Sequence, residues 1–387
     1  MEVRAVAVNG RTYRWPTRPL AVVCLDGSSF AYIDRAIAAG VAPYLQSLVG
    51  LQFFRLVESA LPSFTNPNNV SIVTGVPPSV HGISGNFFLD RRTGSAVMMN
   101  DESFLRVETV LSAFSRAGAR VAVVTAKDKL RGLLCHGVSG TCTSIEATGV
   151  EVYSAALSEQ ALAEGARLLE SDAPDIMYVS TSDYVQHKHA PGEDAANRFY
   201  AAIDRSLAAI DRLGATLVVT ADHGMRAKTD AAGRVRAVYL QDVLDLWLGV
   251  GAARVVLPIT DPYVRHHGAL GSCAMVYLAT PADDAPALAG RIGAVPGIDV
   301  AVANDEASHR FDLPADRIGD IVVFADAETV IGTRPADHDL SALDAPLRSH
   351  GGRAEQQVPL FANRTVAADA RPRHNYDAFS VGLNGSA

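Results

Sequence analysis

The residues best suited to chemistry are acids and imidazoles that follow apolar runs. Thr220-Ala221-Asp222-His223-Gly224-Met225 comes directly after Ala215-Thr216-Leu217-Val218-Val219, which has the length and β-branched content of a buried strand. Ligands of open α/β sheets bind beyond the carboxyl ends of the strands. An Asp and a His side by side at such an end offer one hard and one borderline donor to a metal ion. Asp183 and His187 follow the apolar run from Asp175 to Ser180. Their i,i+4 spacing puts both on one face of a helical turn, a relation that Asp183 does not have with His189. Asp26 leaves a third apolar run, Leu20 to Leu25, in an Asp-Gly turn. His350 sits much later, in the glycine-rich turn Ser349-His350-Gly351-Gly352.

One hydroxyl belongs with these. Thr65 lies in Ser63-Phe64-Thr65-Asn66-Pro67-Asn68-Asn69, where Thr65 or Asn66 is a suitable helix N-cap and Pro67 suits the first turn. A hydroxyl there either caps the helix or meets an anionic phosphoryl group among free N–H groups. A nearby divalent metal would make it a nucleophile. Asn86, in the glycine-bracketed loop Gly82-Ile83-Ser84-Gly85-Asn86, either fills a turn or donates its amide to a phosphoryl oxygen. Lys127 and Lys129 flank Asp128 past the apolar run Arg120 to Thr125, either as solvated surface charge or as a subsite for a multiply charged anion. Together, Asp26, Thr65, Asp183, His187, Asp222, His223 and His350 can fill two metal sites of about four ligands each. Three acids against two divalent cations leave a charge of about +1, which favours a phosphoryl anion.

The elements that must position these groups alternate between strand and helix. Residues 1–19 read as a short hairpin turning at Asn9-Gly10. Helices are expected over Ala31 to Val49 with a break near Pro43, over Glu108 to Ala117, over Ser158 to Glu170 and over Glu193 to Leu213. Phe53 to Ser59 and Leu360 to Ala362 read as further strands. From 226 to about 340 the pattern changes to short strands, Ala274 to Ala279, Asp299 to Ala303 and Asp320 to Ala325, with one helix, Asp284 to Ile292. This stretch reads as an insertion capping the sheet edge, with Gly319-Asp320 onward able to rejoin the core. Its His266, His267, His309 and His338 are not taken as ligands, and His374 reads as surface. The expected fold is α/β: an α/β/α sandwich with a central, mostly parallel sheet in residues 1–228 and 336–387, and a smaller α+β cap in 229–335.

Composition narrows the function. The 387 residues are 48% hydrophobic and 20% charged, as in a globular protein. The formal net charge of −8 and the lack of a basic run argue against nucleic acid as the partner. The four Cys form no CxxC pair, which argues against a thiolate zinc site, and Cys24 reads as a small core residue. No apolar stretch is long enough to span a bilayer and no signal-peptide h-region follows Met1, so the cytoplasm is the expected compartment.

Asp26-Gly27, Ser63 to Asn69, Ser182 to His187, Thr220 to Met225 and Ser349 to Gly352 stand in an order and spacing that resemble the alkaline phosphatase superfamily, in its nucleotide pyrophosphatase/phosphodiesterase-like branch. Within it, the chain is most similar to the di-zinc hydrolases that cleave the carbon–phosphorus bond of phosphonoacetate. The likeness covers essentially the whole chain. It implies one Zn2+ held by Asp26, Thr65, Asp222 and His223 and a second held by Asp183, His187 and His350, with Mn2+ or Fe2+ as substitutes. It implies Thr65 as nucleophile, passing through a phosphothreonine, and Asn86, Lys127, Lys129 and His187 as contacts to a small anionic phosphonate. Membrane and nucleic acid are not expected as partners, and a homodimer is left open. The nearer alternative is a nucleotide pyrophosphatase or phosphodiesterase cleaving P–O bonds. The remoter one is a non-catalytic phosphonate or metal binder.

Overall fold

The strand Leu20–Cys24 is central because every one of its residues is apolar and both of its faces are covered. Ala21 and Val23 pack with Tyr32, Ile33, Leu162, Ile203 and Leu207 of one helical layer. Leu20, Val22 and Cys24 pack with Ile72, Val73, Leu111, Phe114 and Phe379 of the other. The period-two alternation of a strand thus serves two cores at once, and the result is an α/β/α sandwich. Burying each such Val or Leu contributes about 1.5–3 kcal/mol, so a charged residue at Val22 would disrupt the core on that face of the sheet. The computed structural model describes residues 4–51, 53–280, 284–341, 343–367 and 371–385.

The sheet has seven strands in the order Phe53–Glu58, Gln357–Ala362, Thr216–Thr220, Leu20–Cys24, Ile176–Ser180, Val121–Thr125 and Thr141–Ser144. The last five are mutually parallel, and Gln357–Ala362 runs antiparallel to both of its neighbours. A second sheet of four antiparallel strands, in the order Ala253–Val256, Cys273–Leu278, Ile321–Ala325 and Ile298–Ala303, lies within the stretch expected as an insertion. Leu61 and Phe64 of the first region pack into its apolar core.

Some expectations change. Ile321–Ala325 does not rejoin the seven-stranded sheet. Its strand bonds go to Cys273–Leu278 and Ile298–Ala303, where an all-apolar strand is paired on both sides in the middle of the smaller sheet. Helices at Leu240–Leu248, Asn304–Phe311 and Ala378–Asn384 were not anticipated. The helix after Phe64 spans Thr65–Thr74, and its N-cap is Phe64, not Thr65 or Asn66. Thr65 is therefore the first helical residue, and its hydroxyl is not used as the cap. His374 is half-buried and stacks on Tyr376 with ring centres 4.5 Å apart, so it is not a free surface residue. The N-terminal hairpin pairs Ala5–Val8 with Arg11–Arg14, and Asn9 and Gly10 both take positive φ, as a two-residue turn requires.

Candidate active site

Four neighbouring parallel strands end level with one another. Thr220 pairs with Cys24, Cys24 with Ser180, and Ser180 with Thr125. Asp222, Asp26 and Lys127 each lie two residues past those ends and Asp183 three past. The register alone therefore gathers three carboxylates and one ammonium at a single sheet edge. Thr65 reaches the same place from the start of its helix, with Oγ1 3.5 Å from His223 Nε2. His350 arrives through a two-residue ladder in which Arg226 pairs with Ser349 and Ala227 with Arg348, just past the Asp222-His223 turn. Gly351 allows this approach. Its φ is +113°, and a Cβ there would lie 2.2 Å from the Phe64 ring. Gly27 plays the same part beside Asp26: its φ is +70°, and a Cβ would meet Asp183 Cβ at 2.9 Å.

All seven expected metal-site residues come together and all are buried. His187 Nδ1 hydrogen-bonds the Arg348 carbonyl at 2.8 Å, His223 Nδ1 that of Gly224 at 2.9 Å and His350 Nδ1 that of Ser63 at 2.9 Å. Backbone acceptors thus hold each ring so that Nε2 faces the carboxylates. His187 Nε2 is 3.1 Å from Asp183 Oδ2, and His350 Nε2 is 3.8 Å from the same oxygen. His223 Nε2 is 3.3 Å from Asp26 Oδ1 and 3.7 Å from Asp222 Oδ2. The His223 and His350 rings stack with centres 3.6 Å apart. Asp222 is steered by three donors, the Gly27 and His223 N–H groups at 3.1 and 3.0 Å and the Asn69 amide at 3.0 Å.

The three carboxylates at this edge outnumber the fixed positive charge of Lys127, and bound protons make up the difference. Burial and the charge of Asp26 push the Asp222 carboxyl up to about 7. Burial opposes a charged imidazole at His223, yet the carboxylates of Asp222 and Asp26 hold it up at about 9. Burial also works against Asp183, but Lys127 and His187 hold its carboxyl well below the usual range. Asp26 Oδ1 is buried without a hydrogen-bond partner. A set of carboxylate oxygens and imidazole nitrogens with one orphaned oxygen and a surplus of negative charge fits a divalent cation. Three groups among the described residues have ligand atoms close enough to hold one: Asp26 with Asp222 and His223, Asp183 with His223 and His350, and Asp183 with His187 and His266.

Lys127 and Lys129 are both buried, which excludes the solvated-surface alternative. They diverge from one short turn. Lys127 Nζ bonds Asp26 Oδ2 at 2.8 Å and Asp183 Oδ1 at 2.5 Å, and against burial these two acids hold its ammonium well above the usual lysine range. Lys129 Nζ bonds Asp261 Oδ2 at 2.6 Å. Asn86 Oδ1 accepts the Asn66 N–H at 2.9 Å, which anchors its amide beside the start of the Thr65 helix. The sequence reading missed Asp261 and Tyr263, and it set His266 aside. His266 stacks on His187 with ring centres 4.2 Å apart, and its Nδ1 is buried without a partner. The adjacent His266-His267 pair was a visible signal, but no strand end precedes it to say where it points.

Residues 20–353 match the model of the type I phosphodiesterase / nucleotide pyrophosphatase family. The chain belongs to that family. Crystal structures of phosphonoacetate hydrolase from Sinorhizobium meliloti, in complex with phosphonoformate and with phosphonoacetate, are 50% identical to it over 100% of both chains, with a TM-score of 0.95. Murine ectonucleotide pyrophosphatase / phosphodiesterase 5 shares the fold, at 18% identity, 96% coverage of each chain and a TM-score of 0.70. Among curated sequences, an ectonucleotide pyrophosphatase/phosphodiesterase of Caenorhabditis elegans is 24% identical over 90% of this chain. A phosphonoacetate hydrolase of Penicillium oxalicum is 62% identical over a segment of 32 residues, 8% of this chain. The chain spans about half the length of the curated relatives it matches, 45% and 44%. The family is one of metal-dependent hydrolases, in keeping with the donor groups at the strand ends. No helix among the described residues is long and apolar enough to cross a membrane.

Proposed function

We propose that the chain hydrolyses the carbon–phosphorus bond of phosphonoacetate to acetate and phosphate. The observation that carries this reading is the pair of buried ammonium groups, Lys127 and Lys129, set against the Asp/His edge that also holds Thr65. A phosphonate dianion suits the metal-binding edge and a carboxylate suits the lysines. The full-length 50% identity to a phosphonoacetate hydrolase supports the same substrate. One Zn2+ would be held by Asp26, Thr65, Asp222 and His223, and a second by Asp183, His187 and His350. Bound there, the metals supply Lewis acidity to the phosphonyl oxygens and lower the pKa of a hydroxyl or water.

The residues of the chain do the rest. Thr65 Oγ, having lost its proton to solvent, forms the new bond to phosphorus in line with the departing carbon. The C–P bond breaks and its electron pair stays on carbon, spread into the acetate carboxylate as an enediolate. Lys127 and Lys129 stabilise that charge as it grows, and Asn86 donates its amide to a phosphonyl oxygen. The carbanion takes a proton from water. Water then cleaves the Thr65 phosphoester, releasing phosphate and restoring the hydroxyl. Residues 229–335 act as a cap, since Asp261, Tyr263 and His266 reach the site from that stretch.

The test is phosphate release from phosphonoacetate by the purified zinc-loaded protein, with an aryl phosphodiester run beside it. Faster turnover of phosphonoacetate is the expected result. Turnover of the diester alone would move the chain to the P–O hydrolases.

A further inference from the structure

The loop Asp261-Pro262-Tyr263 is clamped to the Lys127–Lys129 turn at two points. The first is the Lys129–Asp261 pair, whose side chains are only 1% and 7% exposed. The second runs through Glu146, which accepts the Asp128 N–H at 2.7 Å and bonds the Tyr263 hydroxyl. The Tyr263 ring is near both lysines, its centre 5.6 Å from Lys127 Nζ and 5.4 Å from Lys129 Nζ. Asp261 is itself fixed. Its Oδ1 accepts the Tyr263 N–H at 2.7 Å and lies 3.5 Å from His267 Nε2.

A buried ammonium without a counter-charge is costly, and a free lysine stem samples many rotamers. Asp261 removes both problems for Lys129, and the aromatic face of Tyr263 serves both cations. We propose that Asp261 is a positioning residue that sets substrate specificity: it holds Lys129 where a ligand's carboxylate must land, so the inserted stretch, not the strand edge, selects for a carboxylate. This rests on the reading that the lysines take the substrate's carboxylate. Asp261 touches neither phosphorus nor the scissile bond in this account. It acts through Lys129.

The test compares two phosphonates by calorimetry on zinc-loaded protein: phosphonoformate, which carries a carboxylate, and methylphosphonate, which does not. Asp261→Asn is expected to weaken phosphonoformate by at least about ten-fold and methylphosphonate by less than about three-fold. Equal weakening of both ligands, or no change in either, overturns the proposal. Tighter phosphonoformate binding overturns it too, since Asp261 would then be a competitor of the ligand carboxylate and not its guide. If Asp261→Asn does not fold, Tyr263→Phe decides. It removes the tie to Glu146 and should weaken phosphonoformate by about three-fold relative to methylphosphonate, while an unchanged ratio overturns the proposal. Phosphate release from phosphonoacetate by the unaltered protein separates the two levels. If it occurs while the Asp261→Asn ratio is unchanged, only the role of Asp261 falls; if it does not occur, the functional reading falls first.

Discussion

At one end of the site three carboxylates and three imidazoles face a single ammonium; at the other, two ammoniums lie near one aromatic ring, and the Lys129 ammonium pairs with the Asp261 carboxylate. The first end is built from the residues just past the ends of neighbouring strands, and there burial, with the charge of Asp26, pushes the Asp222 carboxyl up to about 7. The second end is built from one turn and a loop more than 130 residues away, with Lys129 and Asp261 paired at 2.6 Å. Lys127 belongs to both. Its ammonium bonds the two acids that the metal reading needs, so cations at that edge would take over its partners. On the proposed reading the contrast divides the labour: the strand edge would hold metal and phosphorus, and the lysine end would read what is attached to phosphorus.

The largest effect should come from Thr65→Ala. It is expected to lower turnover of phosphonoacetate and of an aryl phosphodiester alike by more than about 1000-fold, with metal content by elemental analysis nearly intact. Retained activity would remove Thr65 from the mechanism.

Lys129→Met should separate the two ends. A loss of about 100-fold in kcat/KM for phosphonoacetate is expected, against less than about ten-fold for the diester. Equal losses on the two substrates would dissolve the division.

Metal removal should expose the charge imbalance. In the chelated protein, Asp222 is raised from 3.8 to about 7 and His223 from 6.5 to about 9. A raised folded-state value means that stability is present below the unfolded value and is lost as pH rises through the folded one. Melting temperature of the metal-free protein should therefore fall by a few degrees in two windows, from about 4 to about 7 through Asp222 and from about 6.5 to about 9 through His223, and metal should abolish the slope. A flat profile without metal would show that the acids are compensated already.

The smallest effect is expected at His266→Phe, which keeps an aromatic ring against His187. Metal content should be unchanged and kcat/KM should fall by less than about three-fold. Loss of one ion per chain would make His266 a ligand.

Much of the strand edge was legible because it depends on short-range regularities. Apolar runs of five or six residues define buried strands, and the first polar residues past them have few places to go. Asp26, Asp183, Asp222 and His223 could be read this way, and the i,i+4 spacing selected His187 correctly as the imidazole beside Asp183. The helix start at Thr65 was legible to within one residue. Its cap was not, because backbone geometry at Phe64 replaces the side-chain cap that Thr65 or Asn66 would have provided. The strand at Ile321–Ala325 was legible as a strand, but not its sheet, since partner choice depends on which apolar edges are left open.

What the sequence determined by itself is the inventory and its local spacing: three acids, three imidazoles, a hydroxyl and two lysines, each next to an element whose type follows from its own residues. Only the tertiary structure decided that two lysines two positions apart would part company, Lys127 to Asp26 and Asp183 and Lys129 to Asp261. Only it brought His350 against His223, by a two-residue ladder, and laid His266 on His187. The physical reason is range. A helix or strand period fixes which side chains share a face over a few residues. The pairing of buried charges waits until the chain has returned, because an ammonium excluded from water takes whichever carboxylate the fold has carried within reach.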